Sequence, residues 1–169
     1  VKTAVTPDSV TLTYSYDAQG NTLSETSSGT TTTYTYNARH QLQSQTRAGQ
    51  TTRYRYNIDG IRREQIENGQ VTGFVVDSNR AYAQVLAERQ DGQDRVYYAY
   101  GDDLISQNRG GATSFYHYDG LGSTRSLTDA SGAITDRYNY EAFGELLNQT
   151  GTTENSYLFT GEQFDQSLN

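Results

Sequence analysis

The sequence predicts an all-β protein made of antiparallel hairpins in a meander, and three observations carry that reading. Tyr14-Ser-Tyr16-Asp17-Ala-Gln-Gly20 returns as Tyr34-Thr-Tyr36-Asn37-Ala-Arg-His40 and again as Tyr54-Arg-Tyr56-Asn57-Ile-Asp-Gly60, at a step of 20 residues. A short fixed period marks copies that cannot each bury a core and must pair with their neighbours. Tyrosines two apart put both rings on one face of a pleated strand. No stretch sustains helical periodicity: Ala81 to Arg89 comes nearest, but Phe74-Val-Val and Val96-Tyr-Tyr bracket it with strand chemistry, so it reads as a longer excursion or a strand pair.

Within the first unit, Thr11-Leu-Thr-Tyr14-Ser-Tyr16 is rich in β-branched and aromatic residues and reads as a strand. Asp17-Ala-Gln-Gly20 reads as a turn. Its Asp favours the first position of a type I turn through its side chain, and its Gly tolerates positive φ, as in hairpins that end in a bulge. Asn21-Thr-Leu23-Ser-Glu25-Thr returns as the second strand, and Ser28-Gly29-Thr30 turns back into the next unit.

The pattern then continues with drift. It passes through Phe74-Val-Val-Asp77, Tyr98-Ala-Tyr100-Gly101, Tyr116-His-Tyr118-Asp119-Gly-Leu-Gly122, Tyr138-Asn-Tyr140-Glu141-Ala-Phe143-Gly144 and Tyr157-Leu-Phe159-Thr160-Gly161. Units therefore start near residues 14, 34, 54, 74, 98, 116, 138 and 157, and the variable steps imply a constant core with length changes absorbed in turns. With two strands per unit, the expectation is a single module over residues 1–169 with some fourteen to sixteen strands.

Composition narrows the class. Hydrophobic residues make up only 33% of the 169, but twelve of the fifteen tyrosines fall in the Tyr-x-Tyr slots, a phase that a disordered chain would not keep. The net charge is −7 with no basic run, which argues against nucleic acid as a partner. There is no cysteine, hence neither disulfide nor thiolate metal site, and no apolar run long enough for a membrane span. The N-terminus lacks a charged-then-apolar signal pattern, so the address of an exported protein is expected outside this segment.

Chemistry is sparse. His40 occupies the slot of a turn glycine, His117 lies between two strand tyrosines and points to the opposite face, and neither has a partner at metal-ligand spacing. The Asp-x-x-Gly turns match neither calcium-binding repeat pattern and read as turn caps. Gly110-Gly111 and Gly120-Leu-Gly122 lack the Lys-Ser/Thr of a phosphate loop, no Gly-x-Ser-x-Gly elbow is present, and Glu141, Glu145, Asp91, Asp94, Asp102 and Asp103 read as solvated loop carboxylates. The expectation is a non-enzyme without cofactor or metal. The residues expected to matter are structural: Tyr14, Tyr16, Tyr34, Tyr36, Tyr54, Tyr56, Tyr116, Tyr118, Tyr138 and Tyr140 as ladders, and Asp17, Gly20, Gly60, Asp119, Gly122 and Gly144 as turns. Buried tyrosines serve packing, whereas a sugar-binding or base-stacking platform needs the rings exposed.

The unit Tyr-x-Tyr-Asp-x-x-Gly resembles the YD repeat of the rearrangement-hotspot (RHS) family, which includes bacterial polymorphic toxins, wall-associated proteins, insecticidal toxin complex C subunits and animal teneurins. The run Tyr116-His-Tyr118-Asp119-Gly-Leu-Gly122-Ser-Thr-Arg125-Ser-Leu-Thr128-Asp129-Ala-Ser-Gly132, with Tyr138 to Glu145 and Leu158 to Asp165, resembles the family's RHS-associated core, so that 116–169 is core-like. The resemblance extends from Thr11 to Asn169. It implies a sheet that spirals as part of a hollow shell, an extracellular or cell-surface bacterial setting, and a role in enclosing or presenting a C-terminal toxin polypeptide. It also implies that this chain is an excerpt of a larger protein, ending before the segments where the family places its self-cleavage site.

The partners so implied are a polypeptide cargo or flanking repeats of the same protein. The rival reading is an adhesive or fibre-forming surface protein that self-associates through open sheet edges or binds glycan.

Overall fold

The computed structural model describes residues 1–5 and 10–165; residues 6–9 and the last four of the core-like segment, 166–169, lie outside the described residues. The strands are β1 (Lys2–Val5), β2 (Thr11–Tyr16), β3 (Thr22–Ser27), β4 (Thr30–Tyr36), β5 (Leu42–Arg47), β6 (Gln50–Tyr56), β7 (Arg62–Glu67), β8 (Gln70–Asp77), β9 (Gln84–Gln90), β10 (Gln93–Tyr100), β11 (Leu104–Arg109), β12 (Ala112–Tyr118), β13 (Thr124–Thr128), β14 (Ile134–Tyr140) and β15 (Leu146–Thr150). All are antiparallel, and order along the chain is order across the sheet. The chain divides into two compact units, Val1–Phe74 and Val75–Asn169.

In the first unit the tyrosine pairs ride on β2, β4 and β6, and two turn types alternate. At one end Asp17, Asn37 and Asn57 each accept two backbone N–H bonds on Oδ1, from the residues two and four places on, at 2.8–3.1 Å. The N–H three places on, that of the turn's fourth residue, donates to the carbonyl of the first residue, Gly20 to Asp17 and Gly60 to Asn57. His40 fills the glycine slot of the middle turn at φ 59°, and its Nδ1 lies 3.1 Å from Asn21 Nδ2. The Asn21 side-chain amide beside Asp17 holds that carboxyl below the usual carboxylate range. At the other end Ser28-Gly29, Ala48-Gly49 and Asn68-Gly69 have positive φ at both residues, the two-residue turn whose twist suits a hairpin.

The four-residue turn dictates a bulge. Pairing slips by one residue between Ser15 and Tyr16, Thr35 and Tyr36, and Arg55 and Tyr56, leaving Leu23, Gln43 and Arg63 as the extra residues on the return strands. All three are exposed, so the bulge turns one side chain outward and keeps the second tyrosine on its face. The opposite face carries hydroxyl pairs across the strands, including Ser15–Ser24 at 2.6 Å and Thr35–Ser44 at 2.7 Å.

In the second unit the same scheme runs through β10 to β15, with pairs at Tyr98/Tyr100, Tyr116/Tyr118 and Tyr138/Tyr140 and bulges before Tyr100, Tyr118 and Tyr140. Asp119 and Asp129 each accept two turn N–H bonds on Oδ1; Asp129-Ala-Ser-Gly132 thus places the four-residue turn at both ends of β13. Ala81 to Arg89 resolves into a loop followed by β9, in line with the sequence.

One expectation is corrected. Tyr157-Leu-Phe159 was expected to open an eighth hairpin, but Tyr157 makes only an isolated bridge to Gln163, and Phe159–Gly161 is a 3-10 turn with Thr160 at φ 53°. The backbone of this segment bonds partly within itself, Leu158 N–H donating to Glu162 O at 3.3 Å and Phe164 N–H to Ser156 O at 2.6 Å, and partly to the sheet: Thr124 N–H donates to Leu158 O at 2.9 Å, and Thr160 N–H donates to Ser123 Oγ at 3.0 Å. Residues 151–165 form a strap rather than a strand pair.

Gly122 and Gly110 both have positive φ, 83° and 58°. The slot of Gly110 is filled by Ser28, Ala48, Asn68 and Asp91 in the sister turns, so side chains fit there, whereas the slot of Gly122 is glycine in every such turn except at His40. A Cβ on Gly122 would also meet the Thr160 carbonyl at 3.7 Å, against open space at Gly110. Gly122→Val is therefore expected to lower the melting temperature more than Gly110→Val; equal shifts would remove this turn assignment.

Candidate functional surface: the tyrosine face

Alternation along each strand gives the sheet one face lined by tyrosine. The first tyrosine of each pair becomes deeply buried where neighbours cover it: Tyr54 is 3% exposed, Tyr98 6%, Tyr116 7% and Tyr138 2%. Tyr14 and Tyr34 are half-buried, and Tyr14 stacks on Tyr16 at 6.4 Å between ring centroids. Opposite these first tyrosines stand Glu25, Gln45, Gln65, Gln107, Leu127 and Gln149, so a largely polar row runs beside the aromatic one. Gln45 and Gln107 in that row are buried.

The second tyrosine acts as a latch. Tyr56 OH donates to Leu42 O at 2.8 Å, Tyr118 OH to Leu104 O at 2.6 Å and Tyr140 OH to Thr124 O at 2.9 Å, in each case to the first residue of the preceding return strand. Tyr36 hydrogen-bonds the backbone of Thr22, the first residue of β3, there as the acceptor. At these four positions a unit is thus tied to the return strand before it by a side chain that the repeat itself supplies.

In the second unit the strap lies on this face and completes its core, a cluster of Val96, Tyr98, Leu104, Tyr116, Leu127, Tyr138, Tyr157 and Leu158. Tyr157 meets Tyr98 edge to face at 5.1 Å, and Tyr100 OH bonds Tyr157 OH at 3.2 Å. Asn155, 6% exposed, accepts from Tyr116 OH at 3.0 Å and from Tyr157 N–H at 2.9 Å, and donates back to Tyr157 O. Gln107 Nε2 donates to Glu154 O, Arg109 pairs with Glu154 at 3.1 Å, and the fully buried Asp136 accepts from Thr153 N–H at 2.9 Å. Asn155→Ala strands the Tyr116 hydroxyl in the core and is expected to cost about 1–3 kcal/mol by urea denaturation; a loss within error would show that the strap does not hold this face.

Burial pushes Tyr98, Tyr116, Tyr118, Tyr140 and Tyr157 well above the ordinary phenol range. A phenol pKa raised by folding adds stability that is present below the unfolded value, about 10, and is lost as pH rises beyond it. Absorbance titration at the phenolate band is expected to show these tyrosines ionising only together with alkaline unfolding. Reversible ionisation of all fifteen on a folded chain would contradict their burial.

Within each unit the expected ladder residues share one face, and the expected turn residues Asp17, Gly20, Gly60, Asp119, Gly122 and Gly144 sit in matching turns. His117 lies on the other face, exposed, with Nε2 at 3.0 Å from Thr128 Oγ1. Asp136, Asn155 and Gly151 escaped the sequence reading; Asp136 hides in the slot held elsewhere by Thr32, Thr52 and Ser114. No group of His, Asp and Glu suited to a metal ion occurs among the described residues.

No protein-family model matches the chain. A stretch of 74 residues is 34% identical to the tRNA3(Ser)-specific nuclease WapA of Bacillus spizizenii, covering 41% of this chain and 3% of that protein. Among solved structures, the chain is similar to the toxin complex TcdB2-TccC3 over 92% of its length, with a TM-score of 0.59 and 15% identity. It is similar to TcdB2-TccC3-Cdc42 at a TM-score of 0.57 and 14% identity, and to the Photorhabdus luminescens Tc holotoxin pore at 0.60 and 14% over 98% of its length. In each it spans 11–12% of the matched chain, a small segment of a far longer polypeptide. The resemblance to the RHS YD-repeat family read from the sequence is met at the level of fold: this is an antiparallel β-repeat sheet of the kind found in those toxin complexes.

Proposed function

We propose that this segment is non-catalytic wall: a stretch of RHS-repeat shell that encloses or presents a polypeptide, as part of a secreted bacterial toxin. The observation that carries the reading is the likeness to the toxin-complex structures over more than nine-tenths of the chain. The tyrosine face supports it. The hydroxyls of Tyr118 and Tyr140 are spent on backbone latches and that of Tyr116 on the strap, and the first-position rings pack inward in the second unit, which leaves them serving cohesion rather than a sugar platform. Containment then follows from backbone pairing: hydrogen-bonded strands accrue along the sheet, tyrosine latches tie several of them to their predecessors, and a wall so made excludes proteases without a catalytic group.

Limited trypsin digestion of the intact native protein, read by mass spectrometry, tests this reading. Non-repeat polypeptide is expected to survive as long as the repeat sheet does. Early loss of the non-repeat polypeptide from an intact sheet, or retention of the protein on polysaccharide, would favour the adhesive reading instead.

A further inference from the structure

The second unit holds a cleft of about 680 Å³ between the loop before β9, the turn joining β10 to β11, and the 3-10 turn of the strap, within the size range of ligand pockets. Its walls are aromatic and acidic. Tyr82, Tyr100, Tyr118 and Tyr157 supply rings, and Asp102, Asp103 and Glu162 supply carboxylates. No Lys or Arg lines it, and among the described residues none of the three carboxylates has an ion pair; the nearby Arg80 is turned to Asp77 at 3.9 Å. The hydroxyls of Tyr118 and of the Tyr100–Tyr157 pair are already bonded, so these residues offer ring surface rather than the donors a sugar needs.

Elsewhere the chain itself shows what such a surface takes. Lys2 lies 5.6 Å from the Tyr16 ring, Arg125 lies 5.8 Å from Tyr140, and Arg62 covers both Tyr54 and Phe74 at 5.5 and 5.3 Å. Tyr100 and Tyr118 hold the same place in their pairs as Tyr16 and Tyr140, and carry no such cation among the described residues. We propose that this cleft binds an arginine side chain presented by a polypeptide, with the guanidinium lying against the tyrosine rings and paired to Asp102 or Asp103. A flat guanidinium satisfies stacking and carboxylate pairing at once, which a compact ammonium does less well. The assignment stands apart from the shell reading, since it concerns any arginine-bearing segment that reaches the cleft.

Saturation-transfer NMR on the intact native protein tests it, with acetyl-Gly-Arg-Gly-amide as the probe and acetyl-Gly-Gln-Gly-amide as the control. Transfer to the arginine methylenes and none to the glutamine peptide is expected. The double variant Asp102→Asn, Asp103→Asn is expected to weaken binding about tenfold, and about 0.5 M salt to weaken it further. Both aspartates are exposed, and the separate variant Tyr82→Ala, at a residue 86% exposed, removes one wall without touching the core. Equal transfer to the two peptides, or an arginine signal unchanged in both variants, overturns the proposal.

Discussion

Tyr138→Ala is expected to destabilise the second unit by about 3–5 kcal/mol, the range for truncating a large buried aromatic. Tyr138 is 2% exposed and belongs to the core cluster formed by the sheet and the strap. The same substitution at Tyr14, the corresponding position of the first full repeat, is expected to cost only about 1 kcal/mol, because that ring is half-buried and its main aromatic neighbour is Tyr16. Urea denaturation of the intact protein, with hydrogen exchange to locate the loss, separates the two. Equal costs would mean that the repeats carry stability uniformly and that the strap adds nothing to the tyrosine face.

The second large effect is expected at Gly151, where β15 gives way to the strap. Gly151 has φ 89°, and a Cβ built there runs into the Asp136 carboxylate and the Thr135 carbonyl, neither of which is free to yield: Asp136 is fully buried and holds Thr153 N–H. Gly151→Ala combines a strained left-handed backbone with a collision, so a loss of about 2–4 kcal/mol is expected, with amide exchange rising first across 151–165. Gly132→Ala is the control, with a similar φ of 84° and open space at its Cβ. A loss at Gly151 no larger than at Gly132 would show that the chain does not enter the strap through this contact.

Much of the fold was legible because the repeat writes its own geometry. An Asp or Asn at the first turn position and Gly three places on specify the turn, the turn specifies the bulge on the return strand, and the two-residue spacing keeps both tyrosines on one face. The strap was not legible. Tyr157-Leu-Phe159 has strand chemistry, yet the Tyr157 and Leu158 carbonyls accept from Thr124 and the Thr160 N–H donates to Ser123, 33 to 37 residues earlier, and no local pattern announces a bond across that distance. For the same reason the carboxylates of Asp102 and Asp103 read as solvated loop residues, when the strap and the loop before β9 make them the rim of a cleft. Asp136 in a threonine slot was the one available signal: a carboxylate where sister strands have a hydroxyl implies a partner from outside the repeat.

The most direct measurement of the central claim is a cryo-electron microscopy map of the native protein that contains this segment. The account predicts a wall of antiparallel strands, with density for a second polypeptide on one side of it. A sheet that runs from one copy of the protein into the next, with no polypeptide against it, would contradict that account and make the segment a fibre subunit.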